Sequence, residues 1–182
     1  MAWADFVKYI QLDKTWLMNG LPGVTPATAE MCAEAAAVCW EYNGHGLTVS
    51  LEVTGDVSET YDVTRTRVDD QMRRSYADHQ DAVEFAACAV AFMLIVEETS
   101  YTVVQRSWKG TGFDYWLGEK TDRLFQEKAR LEVSGIMMGD SRDVSRRVKQ
   151  KSRQVMNHES PLPAYIVVAE FSKPQAEVSY HA

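Results

Sequence analysis

Lys109–Ile136 reads KGTGFDYWLGEKTDRLFQEKARLEVSGI, and this stretch decides the fold. Gly110 and Gly112 mark a tight turn. Thr102–Ser107 before it and Phe113–Leu117 after it have the apolar and aromatic content of paired strands. A polar loop then leads to a third strand over Ala129–Met138. Asp114 lies on the second strand and Glu132 mid-way along the third. Side chains alternate along a strand, so Glu132 and Ser134 share one face, and Leu131 and Val133 share the other. Neighbouring strands lie about 4.8 Å apart, so Asp114 and Glu132 can share an ion if they face the same side. Two or three converging carboxylates make a hard-oxygen site for Mg²⁺ or Mn²⁺. Such a site can activate water and stabilise the leaving oxygen of a phosphodiester.

Upstream, DHQDAVEFAACAVAFMLIVEE predicts a helix that is apolar nearly all round, and so buried against a sheet. Glu84 is its anomaly. It is a carboxylate among small residues, and it either needs a partner or sits early enough to favour the helix dipole. Downstream, DSRDVSRRVKQKSRQVMN predicts a basic helix with a thin stripe of Val144, Val148 and Val155. YIVVAEF at Tyr165–Phe171 predicts a buried strand. The order from Asp78 onward is therefore α-β-β-β-α-β. Before it, residues 1–24 read as a short helix and a turn. Thr25-Pro26 opens a helix running to about Tyr42, since Thr caps and Pro suits the first turn. LTVSLEVTG and YDVTRTRV form a strand pair. The reading is an α/β chain: a helical and hairpin extension over residues 1–77 and a core over residues 78–182, expected to make one compact domain together.

The 182 residues suit one domain, with 46% hydrophobic and 25% charged residues. The longest apolar run, Phe85–Val96, is short for a bilayer, so no membrane partner is expected. The N-terminus carries acids where a secretory signal would be basic. Cys32, Cys39 and Cys88 form no C-x-x-C pair, which suggests reduced thiols in a cytoplasmic protein. The four histidines lack zinc-ligand spacing. The net charge of −7 argues against a general nucleic-acid coat, but the charge is unevenly spread. Residues 105–153 hold 12 basic and 7 acidic residues, whereas residues 1–104 hold 6 basic and 16 acidic. The positive segment is the one that contains Asp114 and Glu132, so a phosphate-bearing partner would be drawn there.

With the α-β-β-β-α-β order, the GTGFDYWLG hairpin and the following LEVSG, residues 78–172 resemble the PD-(D/E)XK, or restriction-endonuclease-like, nuclease superfamily. The resemblance implies a restriction-endonuclease-like core, a Mg²⁺ or Mn²⁺ cofactor, and metal ligands at Glu84, Asp114, Glu132 and the carbonyl of Val133. It also implies a lysine at position 134 that orients water and offsets phosphate charge. The sequence has Ser134, whose hydroxyl bonds water but carries no charge. Either the lysine has moved, to Lys149 or Lys151 on the basic helix or to Lys109 on the hairpin, or the domain binds without cutting. The catalytic set expected is Asp114, Glu132, Ser134 and Lys149.

Arg142, Arg146, Lys149 and Arg153 fall on one helical face, a row that can follow a phosphate backbone. Arg147 and Lys151 widen it, and Lys109 adds a charge on the hairpin. The alternative is a solvated face balanced by Asp140 and Asp143. Phe113 and Tyr115 should point away from Asp114, and Trp108 is the aromatic best placed to be exposed and to stack on bases. The expected activity is a metal-dependent phosphodiesterase acting on DNA or RNA. The alternative is an inactive nuclease-like domain that binds nucleic acid or protein. Whether the chain works as a homodimer or as a subunit of a larger complex stays open at this point.

Overall fold

The computed structural model describes residues 8–11, 19–157 and 160–182. Its strands are β1 (Lys8–Gln11), β2 (Thr48–Gly55), β3 (Glu59–Thr64), β4 (Tyr101–Arg106), β5 (Tyr115–Glu119), β6 (Ala129–Ile136), β7 (Ala164–Glu170) and β8 (Gln175–His181). Its helices are α1 (Pro26–Tyr42), α2 (Asp70–Ser75), α3 (His79–Glu98) and α4 (Ser141–Met156). The eight strands make one mixed sheet in the order β1-β3-β2-β8-β7-β6-β5-β4. β4, β5 and β6 form an antiparallel meander, and β7 joins β6 in parallel across α4.

Each helix begins where the sequence supplies a cap. Thr25 accepts from the Thr28 N–H with Pro26 next in line, and Asp78 accepts from the Gln80 and Asp81 N–H groups. Asp140 and Asp143 close a reciprocal capping box at the start of α4. α1 and α3 pack together over one face of the sheet. The core there joins Trp40, Phe92, Leu94, Leu117, Leu131 and Phe171. α4 covers the other face of β7 through Val144, Val148 and Val155, against Ala164, Ile166 and Val168. α3 is long and apolar enough to cross a membrane by length and composition, longer than the apolar run alone suggests. In the fold it is a core helix, with Ala86 through Ile95 buried except for half-exposed Cys88.

Three features depart from the sequence reading. Lys8–Gln11 is not helical but a strand paired in parallel with β3, while the rest of the expected N-terminal helix lies largely outside the described residues. β8 was not anticipated. It inserts between β7 and β2, so strands from residues 1–77 and from the core lie in one sheet. The short helix α2 was also unforeseen.

Two polar devices hold α4 to the sheet, one at each of its ends. Glu170, 1% exposed at the end of β7, accepts from the N–H groups of Gly139 (3.1 Å), Ser172 (2.7 Å) and Lys173 (2.8 Å), and from the Ser172 hydroxyl. A buried carboxylate is tolerated when donors replace its water. These bonds tie the β7–β8 turn to the start of α4. Arg130 donates to the carbonyls of Val155 (3.3 Å) and Leu162 (2.8 Å), which fixes the end of α4 onto β6.

Candidate active site

The β5–β6 ladder stops at Tyr115 and Leu131. One residue earlier in β5's direction, the Asp114 N–H still donates to the Leu131 carbonyl at 2.9 Å. There the backbone pairing gives way to a side chain: Asp114 Oδ2 accepts from the Val133 N–H at 2.9 Å. The N–H and C=O of one strand residue point to the same side of the strand. The Val133 carbonyl therefore faces the same gap, where β5 no longer provides a donor.

Glu132 projects from β6 toward α4, as strand alternation predicts, and is only 2% exposed. Burial, with the adjacent Asp114 charge second, pushes its carboxyl up to about 7. Both carboxyl groups line one cleft beside Lys151. Lys151 opposes the shift through an ion pair of 2.6 Å, and Gln154 adds a longer contact at 3.4 Å. Ser134, next along the same face, accepts a hydrogen bond from Arg147 at 2.9 Å. Arg147, Lys151 and Gln154 are spaced i, i+4, i+7, one stripe of α4 along the side of β6, with Gln154 at its exposed end. Where β6 lacks a cation, α4 brings two.

Lys149, expected among the catalytic residues, is exposed on the outer face of α4 with Arg142, Arg146 and Arg153. The reason is angular: two residues along an α-helix rotate the side chain by about 200°, so Lys149 and Lys151 cannot point the same way. Arg147 and Lys151 likewise do not widen the outer row but face the carboxylates. Arg146 pairs with Asp143 within the first turns of that outer face.

Glu84 does not join Asp114 and Glu132. Among the described residues no three His, Cys, Asp or Glu side chains converge to hold an ion. Glu84 is exposed and comes from α3, across the sheet from α4. It does line a cleft of about 440 Å³ with Asp114, Ser134, Arg147 and Lys151. α3 approaches this closely because β6 carries glycine at position 135, where an added Cβ would lie 2.3 Å from the Val83 carbonyl oxygen.

A second cleft of about 570 Å³ runs from Trp108 and Lys109 past Phe113 to Asp114, Glu132 and Lys151. Trp108 is 79% exposed. Tyr115 points to α3 and meets Phe92 edge-on, as alternation predicts. Phe113 does not follow it. It packs against Trp116 and the α4-side cluster, because it precedes the strand and lies in the turn. Arg106 escaped the sequence reading. It donates to the Tyr115 hydroxyl at 3.2 Å and lines both clefts. Its signal was its place at the end of the strand before the glycine turn. Gln154 was missed as well, and only the helical i+3 step from Lys151 could have pointed to it.

Compared with known proteins, the chain matches no family model, no curated protein and no solved structure. The molecule is a mixed α/β protein with two carboxylates gathered at the splayed end of a strand pair and cations delivered from the helix that follows.

Proposed function

We propose that the chain is a metal-dependent phosphodiesterase, a nuclease acting on DNA or RNA, on a restriction-endonuclease-like core formed by α3-β4-β5-β6-α4-β7. The observation that carries this reading is that Asp114 and Glu132 line one cleft at the end of the β5–β6 ladder, with Lys151 on Glu132. A buried carboxylate beside a second, half-buried one is costly unless a cation joins them. The donor set fits Mg²⁺ or Mn²⁺: Asp114, Glu132 and the Val133 carbonyl are all hard oxygens, and substrate and water oxygens would complete the shell. Such an ion, when bound, polarises a phosphodiester and makes water a better nucleophile.

The chain's own groups supply the rest. Asp114 is held by the Val133 N–H, so its second oxygen is oriented before anything binds. Lys151 takes the part that a lysine at position 134 would play. It is anchored on Glu132 and can donate to an attacking water or a phosphate oxygen. Arg147, steadied by Ser134, offers a planar fork suited to phosphate. The outer row of α4, with Lys109 on the hairpin, would follow the strand's backbone.

Two observations favour the second reading, a non-cutting nucleic-acid- or protein-binding domain. No third acid converges among the described residues, and Lys151 already neutralises Glu132. The test is incubation with single- and double-stranded DNA and RNA in Mg²⁺ or Mn²⁺, beside Glu132→Ala and Lys151→Ala. Metal-dependent cleavage lost in both variants supports the phosphodiesterase. Strand binding without cleavage, and without calorimetric Mn²⁺ uptake, moves the assignment to the second reading.

A further inference from the structure

The hairpin turn beside the carboxylates is built to hold one exposed ring. The Ser107 N–H donates to the Asp114 carbonyl at 2.8 Å and closes the loop. The Thr111 N–H and hydroxyl both donate to the Trp108 carbonyl, at 3.3 and 2.9 Å. Gly110 and Gly112 supply the positive φ angles, 97° and 82°, that the turn requires. Gln154 from α4 reaches the Gly112 carbonyl at 3.3 Å. The backbone under Trp108 is therefore fixed, yet its ring is 79% exposed and has no ring partner among the described residues. An indole is among the costliest side chains to leave in water.

The surroundings of that ring select its occupant. Lys109 and Arg106 flank it, and the cleft it opens runs directly to Lys151 and the carboxylates. An apolar peptide laid on Trp108 would have to desolvate these cations without pairing them. A nucleotide offers a flat ring for the indole and a phosphate for the cations, and a cleft of about 570 Å³ is of ligand size. Stacking uses the face of a base, and in a duplex both faces are covered by neighbouring base pairs.

We infer that Trp108 is a stacking platform for an unpaired base next to a phosphate that Lys151, and a cation at Asp114 and Glu132, would hold. The substrate class is then single-stranded nucleic acid or a single-stranded end, not a closed duplex. This rests on the phosphodiesterase reading for the phosphate's position, but the stacking itself is testable without cleavage.

The experiment measures binding of dye-labelled oligonucleotides in a chelator, so that nothing is cut. A DNA strand, an RNA strand of the same sequence and a blunt hairpin duplex are compared on the wild type, Trp108→Ala and Trp108→Phe. The single strands should bind more tightly than the duplex. Trp108→Ala should weaken single-strand binding roughly 5- to 150-fold, the range of one stacked base. Its salt dependence should not change, because no phosphate contact is lost. Trp108→Phe should recover most of the loss. A strand with an abasic site at the stacked position should bind wild type and Trp108→Ala alike. Unchanged urea unfolding of Trp108→Ala separates lost stacking from lost folding. Equal single-strand affinity of wild type and Trp108→Ala overturns the inference, as does equal binding of the blunt duplex by the wild type. Trp108-dependent binding with no metal-dependent cleavage in any condition upholds the inference and overturns the phosphodiesterase reading.

Discussion

Glu132→Gln should stabilise the metal-free protein above neutral pH and lose that advantage in acid. In the fold the Glu132 carboxyl holds its proton up to about 7, because it is buried and faces Asp114. In the unfolded chain it releases the proton near 4.5, the ordinary glutamate value. Between those values the folded state binds more protons than the unfolded state, so raising the pH favours unfolding. The contribution is fully present below about pH 4.5 and gone above about pH 7. One pKa unit is worth about 1.36 kcal/mol, so the interval corresponds to about 3 kcal/mol. Glutamine keeps the shape, accepts from Lys151 and donates to Asp114, but has no proton to lose. The assay is urea unfolding of wild type and Glu132→Gln with a chelator at pH 5, 6, 7 and 8. The variant should gain on the wild type steadily from pH 5 to 7 and hold its gain at pH 8. A stability difference that does not change with pH would refute both the burial of the charge and its contact with Asp114.

Lys151→Met should reduce metal-dependent cleavage by about 10²- to 10³-fold with little change in strand affinity, and Lys151→Arg should restore part of it, read from single-turnover rates. Lys149→Met, by contrast, should leave the cleavage rate at saturating strand within about twofold and alter only binding. Replacing Arg142, Arg146, Lys149 and Arg153 together by alanine should flatten the salt dependence of binding by up to about 0.9 in slope per removed phosphate contact. Gly135→Ala sets a Cβ 2.3 Å from the Val83 carbonyl oxygen and should cost about 1–3 kcal/mol in urea unfolding. Glu170→Ala strands the N–H groups of Gly139, Ser172 and Lys173 and should cost about 3 kcal/mol by the same measurement.

Much of this architecture is written in local pattern. The α3-β4-β5-β6-α4-β7 order follows from runs whose periods are 2 and 3.6, and from Asp78 and Asp140 standing where its helices start. The face shared by Glu132 and Ser134 follows from strand alternation alone. β8 escaped because QAEVSYH is half polar, and its place depends on β7 and β2, strands more than a hundred residues apart. Lys8–Gln11 escaped because four residues carry too little pattern to tell a strand from a helix. Its β conformation comes from the open edge of β3.

The candidate site divides in the same way. Asp114 and Glu132 were legible because a meander places the start of one strand beside the middle of the next, and strand spacing does the rest. Which cation joins them was not legible. Glu84 lines a cleft with Asp114 from α3, but it does not complete a three-acid cluster among the described residues. Lys151 and not Lys149 reaches Glu132 because of the rotation at which α4 docks, which Val144, Val148 and Val155 set against β7. Periodicity belongs to the chain and survives in any arrangement of its elements. The angle and distance at which one element meets another are consequences of packing, and they decide which of two neighbouring lysines faces the carboxylates.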